Sequence, residues 1–138
     1  MRSRSSIILA IVLAAGCGGS SDGGGSVGTP TTPTPNPPTN TPPVATTTIT
    51  ITAAGVSPQR ITVSPGTRVT FVNNDTRTHE MNSDPHPNHG DCPPIDDVGF
   101  LSPGQSKQTG NLNVTRTCGF HDHNQPDVVA LQGTITIQ

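Results

Sequence analysis

The strongest constraint on the fold is the alternation of threonine with isoleucine along short segments of this chain. Residues 46–52 read TTTITIT, and residues 133–137 read GTITI. Alternation of apolar and polar residues is typical of half-buried β-strands, and β-branched side chains favour strands. Because no segment has helical periodicity, the pattern predicts an all-β sandwich. Further strand-like segments lie at residues 60–63, 68–73, 100–101 and 112–117, with Ser-Pro-Gly turns at 64–67 and 102–104.

The first 17 residues have the features of an export signal. Two arginines precede the apolar residues 7–15, a run too short for a membrane-spanning helix. The Ala-Gly-Cys that ends at Cys17 resembles a bacterial lipobox, which implies cleavage before Cys17 and lipid attachment to its sulfur. We therefore predict a lipoprotein signal peptide at residues 1–17 and a membrane-anchored protein of the cell envelope, on its periplasmic or extracellular face. A plain secretory signal with an incidental cysteine is the alternative.

Composition divides the remainder of the chain into a linker and one domain. Residues 18–43 are rich in glycine and serine and then in threonine and proline, which predicts a disordered linker that cannot bury a core. Residues 44–138 are long enough for one small domain. The net charge is −2 and no run of basic residues occurs, so we expect no nucleic-acid partner.

All five histidines and two of the three cysteines are confined to two patches at the ends of strand-like segments. Imidazole and thiolate are common ligands of copper and zinc. The pattern predicts a metal site built from two loops at one end of a β domain, with copper expected and zinc as the alternative metal. The first patch contains His79, His86, His89 and Cys92, and the second contains Cys118, His121 and His123.

Residues 49–137 resemble a cupredoxin of the plastocyanin or azurin type. Residues 56–75 are similar to the second and third strands of that family, and the family's first histidine ligand falls on His79. Cys118 and His121 match the Cys-x-x-His that begins the family's second ligand loop, and a Gly-x-Ile-x-Ile strand closes the chain. The resemblance implies a Greek-key β-sandwich that binds copper for electron transfer or copper handling. It also implies a redox or copper-donor protein as partner.

Two departures from the family pattern leave the kind of copper site open. Leu131 stands where the family usually has its axial methionine, with Met81 as the other candidate thioether. Cysteines of exported domains tend to pair, and a Cys92–Cys118 disulfide would make the Cys118 sulfur unavailable to copper. If Cys118 is free, it would form a trigonal blue-copper set with two of the histidines, His79 and His121. If it is paired, the candidate ligands are the five histidines, His79, His86, His89, His121 and His123.

No catalytic residues are predicted, because the chain shows no nucleophile motif, phosphate-binding loop or paired glutamates. An enzymatic role is therefore not expected, although a histidine-liganded copper with an open position would suit oxidase or dismutase-like chemistry. A metal-free, disulfide-stapled interaction module on the same scaffold is the remaining alternative. The clustered histidines favour a metal-binding protein over that module, since an interaction surface has no need of them.

Overall fold

A computed structural model describes residues 41–138 of the chain. The predicted signal peptide, Cys17 and residues 18–40 of the predicted linker lie outside the described residues. Within residues 41–138, no helix is long and apolar enough to cross a membrane. The described elements are β1 (Val44–Ala45), β2 (Thr48–Thr52), β3 (Gly55–Ser57), β4 (Arg60–Val63), β5 (Thr70–Asn73), β6 (His79–Ser83), α1 (Pro93–Asp96), β7 (Gly99–Leu101), β8 (Ser106–Gln108), β9 (Arg116–Asp122), a 3₁₀ helix (Val129–Leu131) and β10 (Gly133–Ile137).

The strands form two sheets. One has six strands in the order β1-β4-β10-β9-β6-β7, and the other has four in the order β3-β2-β5-β8. The last strand, β10, lies parallel to β4 and antiparallel to β9, so strands distant in sequence are neighbours in the sheet. The predicted all-β sandwich is confirmed.

The core follows from the alternation seen in the sequence. In β2, Ile49 and Ile51 are buried while the threonines between and beside them are less buried. In β10, Ile135 and Ile137 are buried in the same alternating way. Phe71 of the four-stranded sheet meets Phe120 of the six-stranded sheet edge to face, with ring centroids 5.2 Å apart. Burial of these side chains between the two sheets is the main source of stability for a domain of this size.

Strand β9 lies later in the chain than the alternation at residues 112–117 predicted, which corrects that expectation. Leu112 makes only an isolated bridge to Thr67, and the regular strand runs from Arg116 to Asp122. The shift places Phe120 opposite Gly133 of β10, where its ring is fully buried in the core. The second patch therefore lies along a strand and its end, and its cysteine and first histidine are strand residues.

A disulfide joins Cys92 and Cys118, with their Cα atoms 5.9 Å apart. Cys92 directly precedes α1, and Cys118 lies in the middle of β9. Both residues are buried. Of the two alternatives that the sequence left open for Cys118, the structure contains the disulfide, so the Cys118 sulfur is not a free thiolate. The bridge also ties the segment that carries the first histidine patch to the strand that carries the second.

Candidate metal centre

Four of the five histidines converge at one place on the surface. Each offers a ring nitrogen that lies within 4.8 Å of the nitrogens offered by the others. Two of them come from the end of β9, and two come from the segment between β6 and α1. The members of this histidine cluster are His86, His89, His121 and His123.

His121 has one ring nitrogen fixed and the other without a partner. Its Nδ1 donates a hydrogen bond of 2.7 Å to Oδ1 of Asp84. Its Nε2 is buried and has no hydrogen-bond partner among the described residues. An Nδ1–H held by a carboxylate leaves the Nε2 lone pair free, which is the arrangement by which proteins orient metal-binding imidazoles. A buried and unpaired acceptor nitrogen of this kind fits a metal ligand.

His89 and His123 are oriented by the backbone and by each other. His89 has a φ of 49°, a left-handed conformation that residues other than glycine seldom adopt. Ser83 Oγ donates to the carbonyl of His89 at 2.8 Å, and the amide of His123 donates to the carbonyl of Glu80 at 2.7 Å. His123 Nδ1 and His89 Nε2 are 3.1 Å apart, so one of them donates to the other.

The surroundings of His89 favour its neutral imidazole form. Burial lowers the pKa of His89, and the neighbouring His121 and His123 lower it further, because a charged ring would be desolvated and repelled. Neutral imidazole is the form that binds metal ions. The cluster therefore keeps His89 in its metal-binding form.

Asp84 can reach His121 only because residue 119 is a glycine. A Cβ built on Gly119 would overlap Oδ2 of Asp84 and would lie 2.7 Å from its Cγ. The amide of Asp84 also donates to the carbonyl of Gly119 at 3.1 Å, so the two backbones are in contact. A side chain at residue 119 would move the carboxylate away from His121. Neither Asp84 nor Gly119 was among the site residues predicted from the sequence, although a glycine within a strand often marks close approach of another group.

We expect Gly119→Ala to lower the affinity of the cluster for Cu(II) by about tenfold to a hundredfold, the range seen when a ligand-orienting contact is lost. The change is measured by competition with a chelator of known affinity. Gly90→Ala is the matched control, because a Cβ there would meet nothing within 4 Å. Asp84→Asn should reproduce the loss. Wild-type affinity in Gly119→Ala would show that Asp84 does not support the site.

His79 lies outside the cluster and is fully buried. Its Nδ1 is 2.7 Å from Oδ2 of Asp122, and its Nε2 is 3.1 Å from Oδ2 of Asp75. Each ring nitrogen of His79 is thus within hydrogen-bonding distance of a carboxylate oxygen, and the ring bridges two acidic side chains. Neither ring nitrogen is then free to bind a metal ion.

The carboxylates of Asp75 and Asp122 both accept several hydrogen bonds in this arrangement. Burial raises the pKa of Asp75, but hydrogen bonds from Arg77, Thr76 and His79 outweigh it and lower the pKa to about 2. Asp75 is therefore ionised at neutral and mildly acidic pH. Asp122 Oδ1 accepts from the amides of Glu80 and Asn124 at 3.2 and 3.1 Å. The bridge thus links the turn before β6 to the end of β9, beside two members of the histidine cluster.

Solved structures similar to this one identify the fold, whereas no family model and no curated protein matches the chain. The match to a purple cupredoxin from Nitrosopumilus maritimus has a TM-score of 0.54 at 19% identity and covers 67% of this chain and 100% of the other. The match to oxidised plastocyanin from Dryopteris crassirhizoma has a TM-score of 0.51 at 20% identity and covers 66% and 99%. An amicyanin mutant in the Cu(I) state matches with a TM-score of 0.51 at 14% identity, covering 66% and 80%. The described domain has a cupredoxin-like fold.

This cupredoxin-like domain does not bring together His79, Cys118 and His121 as the trigonal copper ligands that were one alternative from the sequence. Cys118 is in the disulfide, and both ring nitrogens of His79 face carboxylates. Met81 and Leu131 are buried members of the hydrophobic core. Of the candidate ligands in the sequence, the structure brings together the four histidines of the cluster and leaves His79 apart.

Proposed function

We propose that the chain is an exported copper-binding protein whose copper site is the histidine cluster. The observation that carries this proposal is the convergence of four imidazoles whose ligand nitrogens lie within 4.8 Å of one another. The buried, unpaired Nε2 of His121 supports it, since nothing among the described residues satisfies that nitrogen. The residues that would hold the metal are His86, His89, His121 and His123.

Copper is favoured over zinc by the fold rather than by the donor atoms alone. Neutral imidazoles suit both Cu(II) and Zn(II). A structural neighbour, the amicyanin mutant, is recorded with Cu(I). A set of four nitrogens without thiolate or thioether suits Cu(II) better than Cu(I), because soft sulfur ligands select the reduced ion. We therefore propose Cu(II) as the bound ion.

Copper handling is the role that the donor set supports best. The bound ion would be held by one exposed and three partly or fully buried imidazoles near the surface, which suits uptake and delivery. Electron transfer is the second candidate, because plastocyanin structures with the same fold have been determined in oxidised and reduced forms. In either role a copper-donor or redox protein is the proposed partner, and we assign no catalytic residue.

A titration of the full chain with Cu(II) tests the site. We expect tight binding of one ion per chain, with binding lost in the double variant His121→Ala/His123→Ala, because two of the four ligands are removed. Isothermal calorimetry gives the stoichiometry, and circular dichroism verifies that the variant is folded. Asn124→Ala is the control at the same end of β9. Wild-type affinity in the double variant would contradict the proposal, and tighter binding of Zn(II) than of Cu(II) would reassign the metal.

We also propose that a lipid on Cys17 anchors the protein to the membrane, on the evidence of the lipobox-like sequence. Cys17→Ser should release the protein from the membrane fraction and change its processing, because the acyl group has no other attachment point in this scheme. Cell fractionation followed by immunoblotting measures the distribution. A variant that stays membrane-bound with unchanged processing would refute the anchor.

A further inference from the structure

The four histidines of the cluster differ in how firmly they are held. His121 is buried and its Nδ1 is bonded to Asp84. His89 is held by its backbone contacts, with its amide donating to the carbonyl of Pro85 at 2.8 Å and its carbonyl accepting from Ser83. His123 contacts His89 through ring nitrogens, and its amide is bonded to β6. The protein therefore holds these three imidazoles in place.

His86 is the exception. It is exposed, and among the described residues its ring has no hydrogen bond, only ring contacts with the other cluster histidines. Its neighbours Pro85 and Pro87 restrict the backbone, so the freedom of His86 lies in its side chain. The closest of these ring contacts, to His123, has centroids 4.8 Å apart. His86 therefore lies on the solvent side of the other three imidazoles without being hydrogen-bonded to them.

Resting on the proposed copper function, we infer that His86 is the exchangeable ligand of the site and that a histidine of a partner protein takes its place. The incoming donor is a neutral imidazole nitrogen, because imidazole suits Cu(II) and because exchange for the same kind of donor would leave the charge and donor set of the site unchanged. His86 would give up its place as a ligand to the partner's imidazole nitrogen, while the other three histidines would continue to hold the ion. Both ligands are neutral electron-pair donors, so no electron or proton is transferred.

The position of His86 is what makes this exchange accessible. His121 is buried, so its position is not open to a partner that approaches from solvent. His86 lies in the exposed segment from Pro85 to Asn88, which a second protein can approach directly. Departure of the His86 side chain leaves the contacts that hold the other three imidazoles intact.

Rescue by an external imidazole tests the inference. The Cu(II)-loaded full chain is compared with His86→Ala, with His121→Ala and with Asn88→Ala, an exposed control in the same segment. The electron paramagnetic resonance spectrum and the affinity from chelator competition are recorded with and without added imidazole. A second series replaces imidazole with an acetylated peptide that contains a single histidine, which tests whether a peptide-borne imidazole fits.

His86→Ala should still bind one Cu(II) per chain, more weakly than the wild type, and imidazole and the peptide should both restore the wild-type spectrum. Asn88→Ala should match the wild type, and His121→Ala should not be rescued. Failure of imidazole to rescue His86→Ala, or equal rescue of His121→Ala, would overturn the inference. Rescue by imidazole but not by the peptide would overturn the assignment to a partner's histidine. If the wild type and Asn88→Ala bind no Cu(II), the proposed function fails and the inference fails with it.

Discussion

Replacing His79 with alanine is expected to lower the free energy of unfolding by about 2–5 kcal/mol, because it removes a fully buried side chain and leaves a buried carboxylate oxygen without its partner. Asp122 is fully buried, and its Oδ2 accepts from His79 Nδ1 at 2.7 Å. Without the imidazole, this buried oxygen loses its hydrogen-bond partner. The missing ring also leaves a cavity between the turn before β6 and the end of β9.

Chemical denaturation measures this effect, and a second buried substitution separates charge from volume. Asp122→Asn keeps an oxygen for the amides of Glu80 and Asn124 but removes the charge. The double variant His79→Ala/Asp122→Asn should therefore lose less stability than the sum of the two single losses. His86→Ala is the matched histidine control, because the exposed ring should change stability by less than about 0.5 kcal/mol. A loss below about 1 kcal/mol in His79→Ala would contradict the buried bridge.

Copper binding by His79→Ala distinguishes between two roles for His79, a copper ligand and a buried bridge between carboxylates. The resemblance to cupredoxins predicts a ligand, whereas the observed contacts predict a buried bridge. Folded His79→Ala should still bind one Cu(II) per chain, because the four cluster histidines remain. Loss of copper binding at a temperature where the variant is folded would show that His79 is a ligand.

Removal of the disulfide is expected to cost about 3–4 kcal/mol of stability. The bridge closes a loop with a sequence separation of 26 residues, and the chain-entropy relation gives a stabilisation of this size for such a loop. The double variant Cys92→Ala/Cys118→Ala should show the loss in thermal and chemical denaturation. It should also bind Cu(II) more weakly, because Cys92 follows His89 by three residues and Cys118 precedes His121 by three.

Reducing agent provides the control for this experiment. Dithiothreitol should destabilise the wild type once the domain is opened by denaturant, and it should leave the double variant unchanged. With Cys17→Ser as background, the denatured and oxidised chain should contain no free thiol. Two free thiols in that chain, or equal stability of the double variant and the wild type, would contradict the disulfide.

The β-sandwich could be predicted from the sequence because the alternation of neighbouring apolar and polar residues shows which side chains of a strand face the core. Alternation in β2 and β10 identifies the inward residues, whatever the rest of the chain does. The start of β9 was not predictable in the same way. Residues 112–114 alternate as well as those of the strand, and only pairing with β10 decides that the strand begins at Arg116.

The histidine cluster was predicted in outline, but its membership depended on contacts across the sandwich. His79 and His121 match the family pattern equally well in the sequence. Their roles differ because His79 contacts two carboxylates, those of Asp75 and Asp122. These two residues are 47 positions apart in the chain, so the sequence does not show that they meet. The role of Asp84 was hidden for the same reason, because its approach to His121 depends on the absence of a side chain at Gly119.

The measurement that most directly tests a copper site made of imidazoles is the spectrum of the Cu(II)-loaded full chain. Electron paramagnetic resonance should show superhyperfine coupling to nitrogen ligands, and the visible spectrum should contain only weak ligand-field bands. The nitrogen coupling should disappear in His121→Ala/His123→Ala. An intense visible charge-transfer band that is abolished by Cys118→Ser would instead show a copper–thiolate bond and would contradict the account.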